Sequence, residues 1–190
     1  MTASPSPTSA QRRRLIGSLV RDIPDFPTPG TVFKDITPLL GSAEGFRATV
    51  DELVACAPEG IDVVVGMEAR GFIVGAPVAY RLGAGFVPVR KPGKLPRETY
   101  QVSYDLEYGR ETLTVHTDAI RPGARVLVVD DVLATGGTLA ATATLVRRLG
   151  AELVHVAVVL ELDFLHPRTR LAEAGLGEAE ISALVSVTEP

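Results

Sequence analysis

The chain has one cysteine, three histidines and fewer basic than acidic side chains among its 190 residues. Each scarcity removes a class of function. A lone thiol, Cys56, cannot form an intramolecular disulfide, and no grouping of Cys and His has zinc-site spacing. Set in a helical pattern, Cys56 reads as a small buried hydrophobe. His116, His155 and His166 are scattered, without evident partners. The formal net charge of −4 argues against general affinity for nucleic acid or an anionic membrane, so basic clusters need local explanations. There is no G-x-S-x-G elbow to support a serine nucleophile. Apolar runs are too short to span a bilayer; behind Arg12, Arg13 and Arg14, the segment LIGSLV is cut off by Arg21 and Asp22. A soluble cytoplasmic protein with neither nucleic-acid nor membrane partners is expected.

What is present suits one domain, because 46% hydrophobic content is ample for a single core. Residues 1–10, rich in Ser, Thr and Pro, read as a disordered tail. Leu15, Ile16, Leu19, Val20 and Ile23 recur at helical spacing and predict a helix over 11–21. Pro24, Pro27, Pro29 and Gly30 then force an irregular loop. Ser42 is an N-cap candidate for a helix presenting Phe46, Val50, Leu53 and Val54. From there strands and helices alternate: strand 62–65, helix 71–82, strand 85–90, a long loop 91–104, and a half-exposed strand 111–117. Strand 125–129, helix 137–149 and strands 153–160 and 181–187 follow. This alternation of valine- and leucine-rich runs with helices predicts an α/β fold, an open, mostly parallel sheet flanked by helices. The N-terminal part, mainly 11–41, and the C-terminal tail are expected to cap the strand ends as a small hood over a core of about 42–165.

The most informative segment is 125–141, RVLVVDDVLATGGTLAA. A buried strand ends in Asp130 and Asp131, a short turn follows, and Thr135, Gly136, Gly137 and Thr138 open a helix. Open α/β sheets bind ligands at such strand ends. Glycines let backbone N–H groups turn inward, and free amides with the helix dipole make an anion site. Two carboxylates beside that site would be repulsive unless they faced sugar hydroxyls or a cation. A phosphorylated sugar meets both demands. No lysine follows Gly137 as a Walker loop requires, and G-x-G-x-x-G is missing. The segment resembles the phosphoribosyl-pyrophosphate (PRPP) motif of type I phosphoribosyltransferases.

Three further constellations accompany it. Residues 66–72, GMEARGF, repeat the strand-to-helix logic, and the Arg70 fork suits a phosphate or a purine edge; the plainer reading is a Glu68/Arg70 surface ion pair. Arg90, Lys91, Lys94 and Arg97 crowd cations beside a strand end, where they would ease the departure of a polyanion; the plainer reading is a solvated face. Tyr100, Tyr104 and Tyr108 recur every fourth residue, but Asp105 and Gly109 favour a mobile loop, a lid that would carry Glu107.

Together PDFPTPGTVFKDITPLL (24–40), EARGF (68–72), VPVRKPGKLPRET (87–99), YDLEYG (104–109) and the PRPP motif resemble the adenine phosphoribosyltransferase family over about 23–162. The N-terminal tail and the last two dozen residues depart from its pattern. The resemblance implies the reaction adenine plus PRPP giving AMP and pyrophosphate, in a homodimer, with Mg2+ carried on PRPP and no protein ligand to the metal. It implies that Ala134, Thr135, Gly136, Gly137 and Thr138 hold the 5′-phosphate and that Asp130 and Asp131 hold the ribose hydroxyls. Ala69, Arg70 and Gly71 would form the pyrophosphate loop, with a cis peptide between Glu68 and Ala69 and with Arg90, Lys91 and Lys94 nearby. Val32, Phe33 and Lys34 would read adenine, with Arg70 reaching the base as well, and Glu107 would be catalytic. Two alternatives share the fold: an enzyme for 6-oxopurines, against which TVFKD speaks, and a PRPP-sensing regulator, which would need a basic face or an appended helix-turn-helix.

Overall fold

The computed structural model describes residues 7–106, 109–177 and 181–189. In chain order the elements are α1 (Ser9–Ser18), β1 (Arg21–Pro24), β2 (Val32–Asp35), α2 (Thr37–Gly41), α3 (Ala43–Cys56), β3 (Val63–Met67), α4 (Arg70–Leu82) and β4 (Gly85–Val89). They continue with β5 (Thr99–Leu106), β6 (Gly109–His116), β7 (Arg125–Leu133), α5 (Gly137–Arg148), β8 (Glu152–Leu162), a 3-10 turn (Asp163–Leu165), α6 (Pro167–Glu173) and β9 (Ile181–Val187).

Strands β4-β3-β7-β8-β9 form one sheet in that order, with every pairing parallel. Successive side chains of a strand face opposite sides, so the valine-rich runs feed two cores. Val65, Val126, Val128, Val156 and Val158 pack under α5 with Leu139, Ala143 and Leu145. Val64, Leu127, Val129, Ala157 and Val159 pack on the other face with Leu53, Val74 and Val78 from α3 and α4. Covering both faces is what allows strands with no polar alternation. Ser42 caps α3 by accepting from the Gly45 N–H at 3.1 Å, a contact worth about 1 kcal/mol.

Several expectations need correction. The helix over 11–21 begins earlier, at Ser9, because Thr8 and Gln11 form a reciprocal capping box; the tail expected over 1–10 therefore gives way to helix before its end. The Pro-rich stretch is not wholly irregular: β1 and β2 pair antiparallel across it, from Arg21↔Asp35 to Pro24↔Val32. The loop expected over 91–104 becomes β5 from Thr99, paired with β6 and tied to the end of β4 by an Arg90–Thr114 bridge. Strand β7 runs through the acidic pair to Leu133, since it keeps pairing with β8 at Val132↔Leu160 and Leu133↔Glu161. Strand β9 joins the main sheet through β8, not the cap. Helix α6 was not expected. His155 has a partner, the Ser182 hydroxyl at 2.9 Å, which links β8 to β9. Cys56 is half-buried, not fully buried, and its sulfur accepts from Arg13 at 3.7 Å.

Candidate active site

Two strand ends and one hairpin face a common cavity of about 560 Å3. Strand β3 leads through Glu68 and Ala69, joined by a cis peptide as expected, into α4. Strand β7 leads through Ala134, Thr135 and Gly136 into α5. Gly136 has φ +82°, and a Cβ there would sit 2.9 Å from the Pro167 carbonyl oxygen; only glycine fits this turn. Gly71 is required for a different reason. A Cβ on it would come within 2.6 Å of Asp130 Oδ1, so the start of α4 is seated directly against the acidic pair.

The electrostatics are concentrated there. Asp130 and Asp131 are only 8% and 6% exposed. Burial, and then the charge of Asp131, hold the Asp130 carboxyl well above its ordinary value. Arg70 Nε lies 2.6 Å from Asp131 Oδ2. That oxygen is buried and accepts no aligned hydrogen bond among the described residues, so the contact is an ion pair with poor N–H geometry. The Arg70 guanidinium also lies over the Phe33 ring, 5.2 Å from its centroid, and Phe26 meets that ring edge-on at 5.2 Å. A cation–π contact of this kind contributes about 0.5–1 kcal/mol where solvent reaches it. Arg90 does not join Arg70. It pairs with Glu68 at 2.8 Å and covers Phe72. The Glu68/Arg70 pair considered from sequence is thus replaced by Glu68–Arg90 and Arg70–Asp131.

A family model described as "Phosphoribosyl transferase domain" matches residues 36–173. The adenine phosphoribosyltransferase of Cutibacterium acnes is 61% identical over 166 residues, 87% of this chain and 94% of that protein. The chain belongs to the adenine phosphoribosyltransferases. A crystal structure of the family's member from Thermoanaerobacter pseudethanolicus superposes with a TM-score of 0.86 at 46% identity, covering 92% of this chain and 99% of that one. The Trypanosoma brucei adenine phosphoribosyltransferase, described in complex with AMP, pyrophosphate and ribose-5-phosphate, gives 0.81 at 27% identity, covering 92% and 79%.

Within this adenine phosphoribosyltransferase fold, the cavity gathers Val32, Phe33 and Lys34 from β2, Ala69 and Arg70 from the β3 end, and Asp130, Asp131, Ala134 and Thr138 from the β7 end. Gly71, Gly136 and Gly137 lie buried behind that wall, and Thr135 is exposed. The basic run is only partly engaged. Lys91 pairs with Glu111 at 2.8 Å, which raises its pKa, and Lys94 is exposed, its carbonyl accepting from Arg90. Glu107 lies outside the described residues, as does Tyr108. Thr31, Val132, Leu162 and Leu165 also line the cavity and were not singled out from sequence. Leu162 ends β8, so the strand-end rule that flagged Asp130 would have found it. Leu165, 41% exposed, carried no signal beyond being apolar.

Proposed function

We propose that this cavity transfers the phosphoribosyl group of PRPP to adenine, giving AMP and pyrophosphate. The observation that carries the reading is the meeting of Arg70, Phe33 and Asp131 in one cavity: a cation for a polyanion, a ring for a flat base, a carboxylate for hydroxyls. The bond from C1′ to the pyrophosphate oxygen breaks and the leaving group takes the electron pair. N9 of adenine forms the new bond at C1′ and gives up its proton, which passes to a carboxylate at the reacting centre or to the departing pyrophosphate. Residues 134–138 hold the 5′-phosphate through the N–H groups at the start of α5 and the Thr135 and Thr138 hydroxyls. Asp130 and Asp131 accept from the ribose hydroxyls and favour positive charge on the ring. Arg70, with Ala69 and Gly71, meets the pyrophosphate; Arg90, Lys91 and Lys94 add positive potential, and Glu107 serves at the reacting centre.

Lys34 binds the base through its backbone, because its ammonium is tied to Asp22 at 3.0 Å. Mg2+ enters as part of the PRPP substrate. Such an ion keeps several waters and takes substrate phosphate oxygens as ligands, so it would need no direct protein ligand here, and it would supply charge neutralisation on the pyrophosphate. Homodimeric assembly and a cytoplasmic location complete the proposal; no described helix is long and apolar enough to cross a membrane.

The test is pyrophosphate release from PRPP with adenine, hypoxanthine and guanine in turn. The N6 amine of adenine donates where an oxo group only accepts, so a buried acceptor left facing oxygen costs about 1–3 kcal/mol. Adenine is expected to lead in kcat/KM by about 5- to 150-fold. Equal values for adenine and hypoxanthine would move the chain to the 6-oxopurine enzymes, and no turnover with any base would favour a PRPP sensor.

A further inference from the structure

Strand β5 carries a side chain that none of the roles above employs. Tyr104 lies opposite Glu111 in the β5–β6 register and is half-buried against α5. Its ring closes on the start of that helix: a Cβ on Gly137 would come within 2.8 Å of the Tyr104 ring. Arg148 Nη1 donates to the Gln101 carbonyl at 2.7 Å, a second tie between hairpin and helix. The phenol oxygen is 3.0 Å from Thr138 Oγ1 and 3.4 Å from Glu111 Oε2.

A phenol has one proton to give. If Glu111 takes it, Tyr104 can only accept from Thr138, and the Thr138 proton is turned away from the cavity. If Thr138 takes it, the Thr138 hydroxyl must direct its own proton elsewhere, and Thr138 lines the cavity. Two observations favour the second arrangement. The Thr138 contact is the shorter, and the other oxygen of Glu111 already accepts from Lys91 at 2.8 Å, which offsets the pull of the carboxylate. Burial raises the Tyr104 pKa, so the phenol keeps its proton.

We propose that Tyr104 is a positioning residue of the phosphate loop: its phenol donates to Thr138 and aims the Thr138 hydroxyl at the bound anion, while Lys91 occupies the competing Glu111. The inference rests on reading 134–138 as the 5′-phosphate loop. A chain of polar contacts then runs from the basic segment after β4, through Glu111 and Tyr104, to the loop that holds the other end of PRPP. Hairpin β5–β6 acts on the phosphate through a single hydroxyl.

The experiment compares Tyr104→Phe, Thr138→Ala and the double variant by calorimetric binding of ribose 5-phosphate, with steady-state KM values for PRPP and adenine alongside. Tyr104→Phe keeps the ring against Gly137 and loses only the hydroxyl. It is expected to weaken ribose 5-phosphate about 2- to 10-fold, the worth of one uncharged hydrogen bond, and to leave KM for adenine unchanged. Thr138→Ala is expected to weaken the same ligand, and the double variant to bind no more weakly than Thr138→Ala alone, because Tyr104 acts through Thr138. Unaltered binding in Tyr104→Phe beside a weakened Thr138→Ala, or losses that add in the double variant, overturns the role of Tyr104 and leaves the loop reading standing. Unaltered binding in Thr138→Ala overturns the loop reading and the inference with it.

Discussion

The ends of β3 and β7 use the same backbone device with opposite charges. Each strand delivers the chain within a few residues to a helix start with no capping side-chain hydrogen bond and no acidic residue in its first turn, among the described residues. Uncapped N–H groups and the positive end of the helix dipole are therefore available at both. The side chains then diverge. At β3 the helix opens with Arg70, and Glu68 is neutralised by Arg90. At β7 two carboxylates are buried side by side before the turn. The loops are complementary, since Arg70 crosses to Asp131 and Gly71 is seated on Asp130. On the proposed reading each half holds a charge of the sign that its own ligand requires, so a substrate with an anionic end and a hydroxylated middle would replace the internal ion pair.

The strongest way to break this picture is to ask whether the two strand ends suffice. We expect that they do not: Glu107→Gln should lower kcat by about 10²- to 10⁴-fold, the usual contribution of a positioned acid or base. PRPP affinity should change little, because the proposed ground-state contacts lie on the two loops. Single-turnover rates near those of the unaltered enzyme would assign the chemistry to the strand ends alone.

Next in size is the β7 end itself. Asp131→Asn keeps the shape and removes the proposed charge-assisted bonds to sugar hydroxyls, worth about 1.5–3 kcal/mol. We expect kcat/KM for PRPP to fall about 10- to 150-fold with the fold intact. Wild-type kcat/KM would remove the carboxylate from the sugar site.

The smallest effect sharpens the contrast in stability. A carboxyl whose folded pKa is raised binds its proton more tightly in the folded state, so stability falls as pH rises from the ordinary value of 3.8 through the folded value. Asp130→Asn removes that loss. The ligand-free variant should melt above the unaltered protein at pH 7.5 by a few degrees, at about 2–4 °C per kcal/mol for a chain of this size. The gap should narrow at pH 4.5. A gap independent of pH would mean that Asp130 is not held against its charge.

How far the sequence could be read depended on the distance over which each element makes its contacts. The central strands were legible because residues such as Val126 to Val129 are buried on both faces and leave no polar alternation to misread. Strand β5 was not, although its signal was present. Tyr100 and Tyr104 are four apart, which matches a helix turn and twice the strand period equally well. Val102 lies between them, half-buried, while Gln101 and Ser103 are exposed, so the period was two. The β1–β2 hairpin escaped notice because it is four residues long on each side and crowded by proline, with Arg21, Asp22 and Pro24 exposed. At the site, the strand-end motifs placed Arg70, Asp130 and Thr138 on the same cavity wall. The partner of Arg70 was not readable, because Asp131 lies on another strand end and only the sheet order brings the two together.

Helix α1 is anchored far from its neighbours in sequence. Ser9, Arg12 and Arg13 converge on the Glu52 carboxylate in α3, and Arg13 Nη1 also donates to the Ala183 carbonyl of β9, 170 positions away, at 3.1 Å. Gly17 faces Val185 of the same strand. During synthesis, at roughly 5–20 residues per second, the first helix leaves the ribosome many seconds before β9 exists. Its docking onto α3 can begin early, but the face that meets β9 stays open until the sheet receives its last strand. A nascent chain therefore carries α1 without its β9 seat until that strand emerges, and the Arg13–Ala183 contact forms only after it does.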